Sequence, residues 1–149
     1  NTIVCLDETE VIGTFLAEEL ADTSRLSLSA DNNISVITPE YNTLGQIMFR
    51  DNKQRMIKNQ QVLILAASVT SGKTISKAIE SVLYYGGSVC GICSIFSAVT
   101  KIAGMKINTI FTSSDVPDYR AYAPHDCPMC KEGRPVEAIV NSYGYSKVD

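Results

Sequence analysis

One stretch constrains this 149-residue chain more than any other. Residues 61 to 66, QVLILA, carry a continuous apolar run of strand length, and a polar loop then leads into Gly72-Lys73-Thr74. A strand that is apolar on both sides has to be covered on both faces, which suits the centre of a parallel sheet. Ile75, Ala78, Ile79, Val82 and Leu83 follow at helical spacing and predict a helix over 74–85, ended by Gly86-Gly87. A strand that hands the chain to a helix N-terminus builds an anion site. The first amides of a helix are unpaired and lie at the positive end of its dipole. Thr70, Ser71 and Thr74 add hydroxyl donors, and Gly72 permits close backbone approach.

Around this unit, strands alternate with helices. TIVCL (2–6) predicts a buried strand, and DETE (Asp7, Glu8, Thr9, Glu10) a loop or helix start. Val11, Ile12, Phe15, Leu16 and Leu20 then recur as the apolar stripe of a helix. ISVIT (34–38) predicts a second strand, QIMFR (46–50) a third, and DNKQRMIKNQ a surface connection or short helix. SVCGICSIFSAV (88–99) and INTIF (107–111) complete the set. The alternation predicts an α/β fold with a doubly wound, mainly parallel sheet flanked by helices. The size suits one domain, with an α/β core over 1–112 and a loop-rich tail over 113–149. In that tail Val136, Ile139, Val140 and Tyr143 predict a short last helix, stopped by Gly144.

Composition narrows the function classes. Net charge is −3 and no basic stripe is present, so nucleic acid is not an expected partner. No apolar run approaches the roughly 20 residues that span a bilayer. No signal peptide is evident, so the five cysteines are expected as reduced cytosolic thiols. The chain opens on Asn1 rather than Met and enters a strand at once, so residues upstream of it are expected. HDCPMCKEG resembles one knuckle of a zinc site, with Cys127 and Cys130 as ligands and His125 as a third; the alternative is a turn with two free thiols. Cys90 and Cys93 share that spacing but lie in a predicted strand, where residues three apart face opposite sides. They are expected as small buried hydrophobes.

Two phosphate-binding patterns compete for VLILAASVTSGKT. The nucleotide-triphosphate P-loop, written as Ala/Gly, four residues and Gly-Lys-Ser/Thr, matches from Ala67 to Thr74. Its strict form begins with Gly, and a wide phosphate cradle needs glycines that Val69 and Thr70 do not replace. The second pattern fits better. Val62 to Leu65, followed by Val69-Thr70-Ser71-Gly72, resembles the phosphoribosyl-diphosphate motif of the type I phosphoribosyltransferases, and the flanking order is similar to the orotate branch.

The resemblance implies transfer of ribose 5-phosphate from phosphoribosyl diphosphate to a nitrogenous base such as orotate, in a cytoplasmic homodimer that uses magnesium. Ser68, Val69, Thr70, Ser71, Gly72, Lys73 and Thr74 would hold the 5′-phosphate or ribose phosphate, and Asp7, Glu8, Thr9 and Glu10 would form the diphosphate loop. This sequence departs from the family at three places. Ala66 and Ala67 stand where the family carries an acidic pair. The diphosphate loop is acidic. The segment matching the family's mobile basic loop has no basic residue before Arg50. A second expectation therefore stands beside the first: a catalytically degenerate protein that binds phosphoribosyl compounds or nucleotides.

Overall fold

The structure, a computed structural model, describes residues 1–25, 33–123, 125–141 and 144–148. It divides into two compact units, Asn1–Val116 and Pro117–Asp149. In chain order the first unit contains β1 (Thr2–Cys5), α1 (Glu10–Arg25), β2 (Ser35–Ile37), β3 (Glu40–Tyr41), β4 (Ile47–Met48) and α2 (Asp51–Gln54). It continues with β5 (Gln61–Val69), α3 (Lys73–Tyr84), β6 (Ser88–Ser97), β7 (Lys101–Ile102) and β8 (Met105–Thr112).

The apolar run becomes β5 and takes the interior of a six-stranded sheet of order β2-β1-β5-β6-β8-β7. Every pairing from β2 to β8 is parallel, and the edge strand β7 alone is antiparallel. Alternate residues of β5 are buried on opposite faces. Val62, Ile64 and Ala66 pack with Ile75, Ala78, Ile79 and Val82 of α3. Leu65 packs with Ile3, Cys5 and Ala17 on the face of α1. The doubly wound architecture read from the sequence is therefore present, with one helix on each face.

Three elements differ from the sequence reading. Only part of the apolar stripe of α1 faces the sheet: Leu16 packs against it, whereas Val11 is 70% exposed and Phe15 66%. Gly13 and Ala17 face it instead, with Leu16 half-buried beside them. The helix lies too close for larger residues, because a Cβ at Gly13 would stand 2.4 Å from Cys5 Sγ. The QIMFR segment contributes only β4, which pairs antiparallel with β3 outside the main sheet. This hairpin is pinned to α3 by Ser81 Oγ donating to the Ile47 carbonyl at 3.0 Å and Lys77 Nζ to the Gly45 carbonyl at 3.1 Å. Finally, no helix joins β6 to β8. Residues 98–104 return the chain and form β7, with a turn at Ala103-Gly104 in which both residues have positive φ.

The second unit holds α4 (Pro128–Lys131), β9 (Ala138–Asn141) and β10 (Gly144–Lys147). The last helix expected from Val136, Ile139 and Val140 is a strand, because β-branched residues favour extended backbone and residues 144–147 supply an antiparallel partner. Tyr143 lies outside the described residues.

Helix propensity and packing make opposite predictions for Gly13→Ala. In an open helix the change stabilises by about 1 kcal/mol. Here the added methyl meets Cys5 Sγ and Val36, so a net loss of about 1–3 kcal/mol is expected from overpacking, measured by urea denaturation.

Candidate functional site

The topology locates a crevice before any motif is considered. The crossover through α1 leads from β1 outward to β2, and α3 leads from β5 outward to β6. The neighbours β1 and β5 thus send their chains in opposite directions, and ligands of open α/β sheets bind at the carboxyl ends of such strands. Two loops leave these ends: Asp7 to Thr9, and Thr70 to Gly72.

The first loop carries unusual backbone. Asp7 and Glu8 both have positive φ, 54° and 59°, a conformation costly for any residue but glycine and least so for Asp and Asn. Thr9 holds the loop down. It is 2% exposed, and its Oγ1 donates to the carbonyls of Leu6 at 2.8 Å and Leu65 at 3.3 Å. The Asp7 carboxylate accepts the backbone N–H groups of Ser68 and Ala67, beyond the point where β1 stops pairing with β5. Burial pushes the Asp7 carboxyl above the usual carboxylate range, and these two donors act against that rise. Burial and the Asp7 charge together raise the Tyr41 phenol.

The second loop is short. β5 stays paired with β6 through Ser68 opposite Phe96 and Val69 opposite Ser97. Only Thr70, Ser71 and Gly72 separate it from α3, too few to wrap a triphosphate in the P-loop manner. Gly72 is the N-cap of α3 at φ 78°, ψ 0°, and no side chain caps that end. Its first amides therefore lack an intrahelical or capping partner. Ser68, Thr70, Ser71, Lys73 and Thr74 are exposed around it, whereas the Val69 side chain is 2% exposed and lies in the core. A Cβ on Gly72 would stand 2.5 Å from Ile102 Cδ1. The glycine is needed for its left-handed turn and for that packing, not for the open approach expected from the sequence.

Ala66 and Ala67 are not equivalent. Ala66 is 1% exposed within the core and lies opposite Ser94, whose Oγ is buried without a hydrogen-bond partner. Ala67 is only half-buried. Arg50, where basic residues begin, is held by Glu40 through two contacts of 2.7 Å. Sequence reasoning missed the Asp7 contact. The signal for it was an Asp at the end of a buried strand, a residue type that tolerates left-handed backbone and accepts amide hydrogen bonds.

The cysteines are arranged differently from the sequence reading. Among the described residues no group of three or more His, Cys, Asp or Glu side chains is placed to hold a metal ion. His125 Nε2 lies 3.1 Å from Asp126 Oδ2 and is not gathered with Cys127 and Cys130. Cys90 and Cys93 do not face opposite sides. The β5–β6 register shifts between Val62 and Leu63, leaving Cys90 as the extra residue of a bulge. Both thiols consequently line one mainly apolar groove of about 470 Å³ with Leu16, Leu20 and Leu63. Cys90 is exposed and Cys93 half-buried, not the pair of buried hydrophobes expected.

The chain is 29% identical over 83 residues to an orotate phosphoribosyltransferase of Chlorobaculum parvum, covering 54% of this chain and 40% of that protein. It is 32% identical over 80 residues to the orotate phosphoribosyltransferase of Caldanaerobacter subterraneus, covering 53% and 40%. The similarity to orotate phosphoribosyltransferases thus extends over about half of this chain. The chain spans about two fifths of the length of these curated relatives. A solved orotate phosphoribosyltransferase from Aeropyrum pernix aligns with 91% of this chain and 66% of its own at a TM-score of 0.48 and 15% identity. No family model matches the chain. Among the described residues no helix is long and apolar enough to cross a membrane.

The geometry separates the two alanines experimentally. Ala66→Glu places a carboxylate in the core and should cost about 3–5 kcal/mol, whereas Ala67→Asp should cost about 1 kcal/mol or less, both read from urea midpoints. Asp7 makes a prediction with a definite sign. Its carboxyl is raised in the folded protein, so the stability it carries is complete below the unfolded pKa and is lost as pH rises through the folded value. Asp7→Asn keeps the left-handed backbone and does not ionise. The variant should melt above the native protein at pH 7, and the gap should close near pH ~3.5.

Proposed function

We propose that the crevice between the Asp7 and Thr70–Gly72 loops binds a phosphoribosyl compound, and that the chain is part of a phosphoribosyltransferase acting on phosphoribosyl diphosphate and a nitrogenous base, orotate first among the candidates. The observation that carries this reading is the uncapped N-terminus of α3, ringed by Thr70, Ser71, Lys73 and Thr74, at the point where β1 and β5 diverge. The amides of Lys73 and Thr74 and the hydroxyls of Thr70 and Ser71 would take the 5′-phosphate. The diphosphate would lie toward Asp7 and Glu8, which with its own oxygens would hold magnesium; the ion would neutralise charge that these carboxylates otherwise repel. Relatives that are orotate phosphoribosyltransferases support the substrate class.

A second reading, binding with little or no turnover, is favoured by Ala66 and Ala67. The transition state of such a transfer is a ribosyl cation, and carboxylates aimed at it are worth roughly 3 kcal/mol or more each. Asp7 is the carboxylate nearest in the chain's own design to that role, since its hydrogen bonds place it against Ala67 and Ser68. The same hydrogen bonds hold it on the backbone and reduce what it can offer a cation.

Titration with ribose 5-phosphate by calorimetry tests the site. Gly72→Asp is unsuitable, because it disturbs a left-handed turn and the Ile102 contact. Thr70→Asp alters an exposed residue and should weaken binding at least about tenfold, or ~1.4 kcal/mol; unchanged affinity would overturn the site. Turnover of phosphoribosyl diphosphate with orotate should fall at least about a hundredfold below the enzyme median of ~10 per second. A rate near that median would show that other groups supply the missing charge.

A further inference from the structure

The hairpin that ends the second unit carries an open edge. Among the described residues β9 pairs with β10 alone, and a two-stranded hairpin is marginal in water without a further strand or a packed layer. Its apolar residues are uncovered: Ile139 is 64% exposed, Val140 73% and Tyr145 69%. The register shows which backbone groups face outward. The Val148 N–H donates to the Glu137 carbonyl at 3.0 Å, and the same register sets Ile139 opposite Ser146 and Val140 opposite Tyr145. Hydrogen-bonded and non-hydrogen-bonded pairs alternate along an antiparallel ladder. Glu137 and Val148 are a bonded pair, so Ile139 and Ser146 are one too, while Ala138–Lys147 and Val140–Tyr145 are not. The N–H and C=O groups of Ala138 and Val140 therefore point away from β10, along the free edge of β9. Those of Tyr145 and Lys147 line the free edge of β10.

The two edges differ. Native proteins shield a strand edge with lysine, proline or a bulge. β10 carries Lys147. β9 carries no charge and no proline, and its register with β10 is unbroken. The β-branched pair Ile139 and Val140 suits a further ladder.

We propose that the free edge of β9 pairs antiparallel with the same edge of a second copy of this chain, about a twofold axis at Ile139. The edge is self-complementary. Its two outward-facing residues, Ala138 and Val140, stand one on each side of Ile139. A second β9 turned end for end about Ile139 sets its Val140 against Ala138 and its Ala138 against Val140, and these two pairs exchange four backbone hydrogen bonds. Ile139 meets its own copy in the non-hydrogen-bonded position between them, where side chains stand closest. Charge selects the antiparallel sense. A parallel copy in register would set Glu137 beside Glu137, a like-charge pair, whereas the antiparallel copy sets Glu137 opposite position 141. The product is a four-stranded sheet with β9 at its centre and Lys147 on both outer strands. The contact is isologous, so it closes at two copies. It is independent of the reading of the crevice.

Sedimentation of the full chain tests the pairing, and the native protein should form dimers at micromolar concentration. Val140→Pro removes an N–H that β10 does not use, so the hairpin is kept while the edge loses a donor. Ile139→Lys leaves the backbone alone and sets two lysines together on the axis. Each should weaken dimerisation at least about tenfold. Ile139→Cys reads the position itself. Across the axis the two Cα atoms would stand about 4.5 Å apart, within the reach of a disulfide. The tryptic peptide from Glu132 to Lys147 contains no native cysteine. Diamide oxidation and mass spectrometry should therefore find two copies of that peptide joined through residue 139. Ser146→Cys, about 15 Å from its copy in this sheet, should not link to itself. Dimers that survive both Val140→Pro and Ile139→Lys, monomer alone at micromolar concentration, or a link at 146 in place of 139 would each overturn the proposal.

Discussion

The parallel pairing of β5 with β1 on one edge and β6 on the other governs the rest of this protein. Parallel neighbours cannot be joined by tight turns, so each needs a crossover. Here one crossover, α1, leaves to one side and the other, α3, to the opposite side, each covering a different face. Burial of both faces of β5 follows, as does the divergence of loops at its carboxyl end. The crevice is a consequence of how the sheet is wound, and the residues in it inherit their places from that winding.

Within the crevice, charge is distributed in an unusual way. Carboxylates come from the β1 loop rather than from the end of β5, and the nearest, Asp7, terminates the unpaired edge of β5 by accepting two of its amides. The left-handed backbone at Asp7 and Glu8 is costly, and local cost of this kind persists where surrounding contacts enforce it. Thr9 and the Leu6–Leu65 hydrogen bond of 2.8 Å supply that enforcement. On the opposite side, the uncapped start of α3 provides donors without countercharge. Donors at one loop and carboxylates at the other give the two ends of the proposed site opposite preferences for an anion, so a cation would have to accompany a diphosphate bound there.

Much of this was legible in the sequence. Continuous apolar residues from Val62 to Ala66 announced a central strand, and Ile75, Ala78, Ile79 and Val82 announced the helix that covers one of its faces. Gly72 was visible as a special position, though its reason was not. The miss at α1 is instructive: Val11, Ile12 and Phe15 made the better apolar stripe, yet Gly13 and Ala17 took the buried face because the helix lies so close to β1 and β5. The bulge at Cys90 and the hairpin at 138–147 were missed for a related reason. Each depends on a partner strand, and a partner distant in sequence leaves no local periodicity.

The sequence by itself determined the alternation of β1, α1, β2, β5, α3, β6 and β8, the central place of β5 and the loop that opens α3, because burial and helix initiation act over a few neighbouring residues. Tertiary structure alone decided that Ala66 is core while Ala67 lies nearer the surface. It decided that Asp7 reaches the backbone of β5, that Ile102 fills the space above Gly72, and that Cys90 and Cys93 share one groove. Each of these is a contact between segments far apart in the chain. The energy of such a contact depends on close approach and register, which no single stretch of sequence encodes.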